Sequence, residues 1–289
     1  MPPDLPPPLI LSRRARRHQF AGAMPLSLKC FAGATAHYRI GGRPLAVDDS
    51  GWLIVNDGQP YEIEINSAAP IEAFVVFFPP GWAEQVRRAL CEAPERLLDD
   101  PQAPGEAVRF VETVEAHDPW VSPRLRELQS VHRRNDGRIA RGRLEELLRD
   151  LLAAMVAAQG EHRQRANRLP AERLSTRREL YRRLCRARDW LVVQGEAGEA
   201  SSLAETARIA CLSPYHLHRS FTAVFGQTPH AFLQRRRLEC ARRILRNGGG
   251  SATEAGFAAG YASYSGFDAA FRKRFGVAPG ALRGRPIAG

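Results

Sequence analysis

The chain has 289 residues, of which 44% are hydrophobic and 25% charged, an ordinary balance for a soluble globular protein and length enough for two domains with separate cores. The five cysteines are odd in number and none sit at C-x-x-C spacing, which argues against a disulfide framework or a zinc site and fits a reducing cytosol. The formal net charge is +11, and of 42 Lys/Arg and 31 Asp/Glu, 22 of each precede Ala171, so the whole positive excess lies in the carboxy-terminal part. That asymmetry points to a polyanion partner for one domain only.

Met1 to Arg17 is expected to be a disordered leader: prolines at positions 2, 3, 6, 7 and 8 forbid a helix, and the basic run Arg13-Arg14-Ala15-Arg16-Arg17 repels itself. No apolar run follows it, so it does not read as a signal peptide. The longest apolar runs, such as Phe74 to Phe78, are too short to span a bilayer, and no membrane partner is expected.

A first domain is expected over 18–165. From His18 to Pro80, short apolar or alternating runs read as strands: Leu26–Phe31, Ala36–Ile40, Leu45–Val47, Gly51–Val55, Tyr61–Ile65 and Ile71–Phe78. Turn chemistry lies between them at Gly41-Gly42, Asp48-Asp49-Ser50-Gly51, Asn56-Asp57-Gly58 and Asn66-Ser67. Strands at this spacing make a small sandwich or barrel. Trp82 to Leu90 reads as a short helix, Asp99 to Gly105 as a loop, and Phe110 to Val114 as a strand or loop. From Pro123 the period turns helical. Leu125, Leu128 and Val131 mark one helix, and Leu144, Leu147, Leu148, Leu151, Leu152, Met155 and Val156 mark another. That second stripe suits packing on its own barrel or a homodimer seam.

The polar, Arg-rich stretch 166–176 is the expected linker, and 177–289 the second domain, opening with a helix from Arg177 to Gln194. In Ser202–Phe225, Leu203, Ala207 and Ala210 mark a short helix. The break Cys211-Leu212-Ser213-Pro214 supplies a cap at Ser213 and a first-turn proline. Leu217, Phe221, Val224 and Phe225 then form the apolar stripe of a second helix. Two short helices around a tight turn, the second with a polar, basic outer face, make a helix-turn-helix. The pattern recurs at Ser251–Phe275. Phe221-x-x-x-Phe225-Gly226 is matched by Phe271-x-x-x-Phe275-Gly276, Pro229 by Pro279, Leu217 by Phe267 and Glu205 by Glu254. A single helical segment, Thr228 to Arg246, joins the two.

These two motifs, in this order and with Gly226-x-Thr228-Pro229-x-x-Phe232-Leu233 and Arg236, Ala241, Arg242 and Leu245 between them, resemble the DNA-binding domain of the AraC/XylS family of bacterial transcription regulators. The resemblance covers Arg177 to about Arg285. It implies an α+β chain: an amino-terminal cupin-like β-barrel or jelly roll with following helices, then an all-α carboxy-terminal domain with two helix-turn-helix motifs. It also implies a cytoplasmic regulator that is not an enzyme and binds double-stranded promoter DNA. Its further partners would be a small-molecule effector, a second copy in a homodimer and, for an activator, RNA polymerase. By position in the motif, Tyr215, His218, Arg219 and Thr222 are the expected base readers of the first unit, with Tyr264 and Ser265 in the second. Ser213, Ser263, Arg236, Arg272 and Lys273 are expected at phosphates. Arg219 could equally meet a phosphate. Ala269 stands where Arg219 does, and Asp268 is acidic, so the second unit suits anchoring more than reading.

Cys211 occupies a turn position where glycine is usual, and Gly256 is expected to weaken its helix by ~1 kcal/mol relative to alanine. In the barrel, Tyr38, Trp52 and Tyr61 are candidate effector-pocket walls, Trp52 the best of them, with core packing as the other reading. A cupin enzyme would need closely spaced metal-binding histidines. That segment has only His18 and His37, and His216 and His218 point apart on a helix, so neither metal nor cofactor is expected. The rival functions are a cupin-type enzyme with a DNA-binding appendage and an architectural DNA protein without an effector.

Overall fold

A computed structural model describes residues 9–100, 105–169, 174–248 and 250–282. It divides into two compact units, Met1–Arg43 with Val47–Gln164 and Arg165–Gly289 with Pro44–Ala46.

The described residues contain seven strands: β1 Ile10–Ala23, β2 Ser27–Ala32, β3 Ala36–Ile40, β4 Arg43–Val47, β5 Gly51–Val55, β6 Pro60–Phe77 and β7 Val114–Ala116. They form one sheet in the order β4-β3-β6-β2-β5-β7, with β1 paired to β6, curled into a nearly closed barrel. The organising strand is β6. The two apolar runs expected at 61–65 and 71–78 are one continuous strand, 18 residues long. Its first half pairs with β3 and its second with β2, while β1 runs antiparallel along its length, from Ile10 opposite Val76 to Ala23 opposite Pro60.

That pairing corrects the expected leader. Residues 1–8 lie outside the described residues, but Ile10 to Arg17 are strand. Local charge repulsion favours disorder there. It is outweighed by the hydrogen-bonding edge that β6 offers along its length.

Helices follow: α1 Trp82–Cys91, α2 Pro94–Asp99, α3 Val121–Arg134 and α4 Arg141–Asn167. One face of the sheet, with Leu28, Cys30, Trp52, Ile54, Phe74 and Val76, packs under Leu125 and Leu128 of α3 and Leu147, Leu148, Leu151, Leu152 and Met155 of α4. The leucine stripe of α4 is thus spent on its own sheet. Trp52, the favoured pocket wall on sequence alone, is instead 2% exposed within this core, because β5 lies between β2 and β7 with this face covered by helices. The glycine before it serves that packing: a Cβ on Gly51 would stand 2.0 Å from the Glu115 carbonyl oxygen of β7.

The opposite face holds the other two candidates. Tyr38 and Tyr61 are buried with ring centroids 5.7 Å apart, and Phe20 and Phe31 pack beside them. Lys29 is buried with them. Its ammonium lies over the Tyr61 ring at 4.4 Å and donates to Tyr61 Oη at 3.1 Å. Burial pushes its pKa down to about 7.

The second unit is all-helical: α5 Leu174–Ala197, α6 Leu203–Ile209, α7 Pro214–Phe225, α8 Pro229–Arg246, α9 Ala252–Ala258, α10 Tyr264–Phe275 and a 3-10 turn at Pro279–Leu282. The linker is expected at 166–176. Asn167 still belongs to α4 and Leu174 already to α5, while residues 170–173 lie outside the described residues.

Candidate nucleic-acid interface

Both helix-turn-helix units are written in the same local grammar. In each, a serine opens the first helix with a reciprocal capping box. The Ser202 backbone donates to Glu205 at 2.9 Å while the Glu205 backbone donates to Ser202 Oγ at 3.1 Å, and Ser251 and Glu254 repeat it at 2.6 and 3.1 Å. The bond from the Ser202 backbone, then that from its hydroxyl, holds the Glu205 carboxyl below its ordinary range. A second serine caps the second helix: the His216 N–H donates to Ser213 Oγ and the Gly266 N–H to Ser263 Oγ, both at 3.3 Å. Left-handed glycines, Gly226 at φ 69° and Gly276 at φ 73°, close both.

The turns differ. The first is tight around Cys211, which takes φ 52°; the second uses Gly260 at φ 78° and is one residue longer, so its second helix is offset from the repeat by one. The interval from Ser251 to Ser263 is one residue longer than that from Ser202 to Ser213 in the sequence itself. A Cβ on Gly260 would lie 2.2 Å from the Gly198 carbonyl oxygen, so this turn presses on the loop before α6. Arg237, buried on α8, ties the two together by donating to the carbonyls of Glu199 at 2.7 Å and Gly260 at 3.4 Å.

α8 serves both units. Phe232 meets Phe221 of α7 edge-on at 5.8 Å, and further along Leu238, Ala241 and Leu245 pack with Ala255, Ala259, Phe267 and Phe271. Its polar side is anchored to α5. Arg236 donates to Glu196 at 3.2 Å and to Glu239 at 3.0 Å, and Arg243 also pairs with Glu196. Arg236 is therefore corrected as a phosphate contact. Its side chain is only 7% exposed and its guanidinium is engaged by two carboxylates, because the i, i+3 spacing to Glu239 and the approach of α5 turn it inward.

The remaining candidates are on the outside. With Leu217, Phe221 and Val224 buried, α7 presents Tyr215, His218 and Arg219, all exposed, Tyr215 by 76%. None of these three side chains makes a hydrogen bond or ion pair among the described residues. Thr222, half-buried, donates to the His218 carbonyl at 2.8 Å and keeps its lone pairs as acceptors. α10 is different: Tyr264 leans on Phe267 with centroids 6.3 Å apart, Ser265 shares a 3.4 Å contact with Ser263, and Arg272 donates to Asp268 at 2.7 Å. Lys273 is exposed and unpaired among the described residues. The acid that disfavours phosphate at Asp268 is thus neutralised within its own helix. An exposed polar face on a short helix, with free N-terminal N–H groups and a capping hydroxyl able to donate, has the chemistry to grip phosphate and touch base edges.

A pair of such motifs braced by one helix is the signature of a two-part nucleic-acid-reading domain. Residues 206–285 match the family profile described as "Helix-turn-helix domain". The chain is 36% identical over 94 residues to the HTH-type transcriptional activator RhaS of Escherichia fergusonii, covering 32% of this chain and 33% of that one. It is 35% identical over 85 residues to a putative AraC-like transcription regulator of Streptomyces lividans, 29% of this chain and 28% of the other. The chain therefore spans about a third of the length of the curated relatives it matches. Among solved structures, an AraC-type transcriptional regulator from Chromobacterium violaceum aligns at 26% identity over 36% of this chain and 94% of its own, with a TM-score of 0.33. The carboxy-terminal unit carries two helix-turn-helix motifs and is similar to the corresponding part of AraC-like transcription regulators. Among the described residues no helix is long and apolar enough to cross a membrane, and no cluster of three or more His, Cys, Asp or Glu could hold a metal ion.

Proposed function

We propose that this chain is a sequence-specific, DNA-binding transcription regulator acting in the cytoplasm. Its α7 reads bases in the major groove, and α10 anchors the second half of the contact. The observation that carries this is the exposed face of α7. Tyr215, His218 and Arg219 are held in register by a capped helix with a buried apolar inner face, and are left free of partners within their own unit. Arg219 has the bidentate geometry for guanine, and His218 and Tyr215 supply further donors and acceptors. Ser213 and Ser263, with Arg272 and Lys273, supply the phosphate contacts.

The amino-terminal unit is the effector-responsive part in this reading. An effector that favours one arrangement of the chain would bias one DNA-bound state by its differential affinity for the two. Homodimerisation and contact with RNA polymerase complete the proposal for an activator. Selection from random double-stranded DNA by the purified protein tests it: enrichment of a bipartite site with two conserved halves supports the regulator. Uniform recovery of all sequences with a steep salt dependence would replace it with an architectural DNA protein.

A further inference from the structure

Outside the barrel interior, a cleft of about 480 Å³ opens between strands β1, β2 and β6 and the helix α3. That volume falls within the ~300–1,000 Å³ of small-molecule sites. Its floor is apolar, with Phe74 and Leu125 buried there. The Cys30 thiol on the same floor donates to the Phe74 carbonyl at 3.3 Å, and burial pushes its pKa up to about 12, so it brings no negative charge.

The walls are of another kind. Arg126, Gln129 and Arg133 fall at i, i+3 and i+7 on α3, one stripe of the helix, and all three line the cleft. Arg14 faces them from β1, on the same side of the sheet as Phe74 because its partner in register is Glu72. Four arginines line the cleft against Asp49 and Glu72. Among the described residues only Arg14 of these is ion-paired, to Glu72 at 4.0 Å with both side chains well exposed, and Arg126 uses one N–H on the Ser122 carbonyl of its own helix. At the bottom, Gln129 uses one N–H on Cys30 Sγ, at 3.2 Å. His132, its ring edge-on to Phe74 at 5.5 Å, has a buried Nδ1 with no partner among the described residues.

We infer that this cleft binds a small organic anion, a carboxylate on an apolar body, with the carboxylate between Arg126 and Arg133 and the body laid on Phe74 and Leu125. Guanidinium groups prefer planar carboxylates with two donors each, and the apolar floor excludes a bare inorganic ion as the best occupant. The inference rests on the amino-terminal unit being effector-responsive. It concerns a site that Tyr38, Trp52 and Tyr61 do not line.

Direct binding to the full chain, without DNA, tests it apart from the DNA-reading proposal. The probes are benzoate, phenylacetate and octanoate, with benzyl alcohol as the uncharged control and inorganic phosphate as the bare anion. Expected are a rise in Tm of roughly 2–4 °C with at least one carboxylate and a calorimetric binding signal. Neither benzyl alcohol nor phosphate should reproduce them. The double variant Arg126→Gln with Arg133→Gln, both exposed and so compatible with folding, should weaken that binding at least tenfold. Arg39→Gln, elsewhere on the unit, should leave it unchanged. No carboxylate binding, equal binding of phosphate or benzyl alcohol, or undiminished binding by the double variant would each overturn the inference.

Discussion

Gly256 lies directly beneath the ring of Phe267: a Cβ placed on it would stand 2.8 Å from the ring's Cδ1 and 2.9 Å from its Cγ. In the first helix-turn-helix the matching positions are Ala207 and Leu217, both buried. One unit pairs alanine with leucine and the other glycine with phenylalanine, so volume lost on α9 is regained on α10. Gly256→Ala should therefore destabilise the carboxy-terminal unit by ~1–3 kcal/mol through overpacking, although helix propensity alone would stabilise by ~1 kcal/mol. Adding Phe267→Leu should recover part of the loss, since it rebuilds the pairing of the first unit. Urea unfolding of the two single variants and the double variant measures the coupling; strictly additive effects would refute the pairing.

Arg236 makes a second prediction about stability, where sequence alone points to DNA. Removing it leaves the buried Glu196 with Arg243 as its remaining arginine partner and Glu239 short of one. Arg236→Ala should cost ~3–5 kcal/mol, the range for breaking a buried ion pair. At temperatures where the variant remains folded, the salt dependence of DNA binding should match the parent. A shallower salt slope with unchanged stability would return Arg236 to the phosphate contacts.

Much of the carboxy-terminal unit is legible in the sequence because its determinants are local. Ser202 with Glu205, Ser213 with Pro214, and Gly226 and Gly276 each act within a few residues, and the repeat shows the same grammar twice. What escapes is set by partners distant in sequence. Arg13 to Arg17 read as a repelling leader until β6, some fifty residues on, supplies the other half of the ladder. Trp52 reads as a pocket residue because nothing nearby announces that α3 and α4 will cover its face. Arg236 and Arg237 are indistinguishable from surface arginines along α8 until Glu196 and the Glu199 and Gly260 carbonyls arrive from other elements. Gly256 reads as a weak point because Phe267 is eleven residues away, across a turn.

The two reading helices divide their labour, and variants should separate them. Arg219→Ala removes a group able to bond guanine O6 and N7, so discrimination at one base pair should fall by ~1–3 kcal/mol. Lys273→Ala should weaken binding to all sequences about equally and lower the salt slope by about one, with stability changed by less than ~0.5 kcal/mol. Competition binding with matched and single-mismatch DNA, at several salt concentrations, reads both. Should the two variants lose specificity equally, α10 would be a reader like α7.

Lys29 gives the amino-terminal unit a pH dependence of its own. Folded, burial holds its pKa at about 7; unfolded it returns to near 10.5. Between those values the unfolded chain carries a proton that the folded chain lacks, so stability should rise with pH at up to ~1.4 kcal/mol per unit from this group. Below about 7 both states are charged, and the folded state bears the full cost of a buried cation hydrogen-bonded to the neutral Tyr61. Above about 10.5 both states are neutral and the dependence ends. Lys29→Met keeps the side chain's length and apolar stem while removing the charge. Its stability gain over the parent should be largest near and below neutral pH, and it should shrink steadily toward pH ~10. Urea unfolding of parent and variant at pH values from roughly 6 to 10 provides the comparison. Parallel curves would mean that Lys29 reaches water or an anion in solution and is not held in the apolar ring of Tyr61 and Phe77.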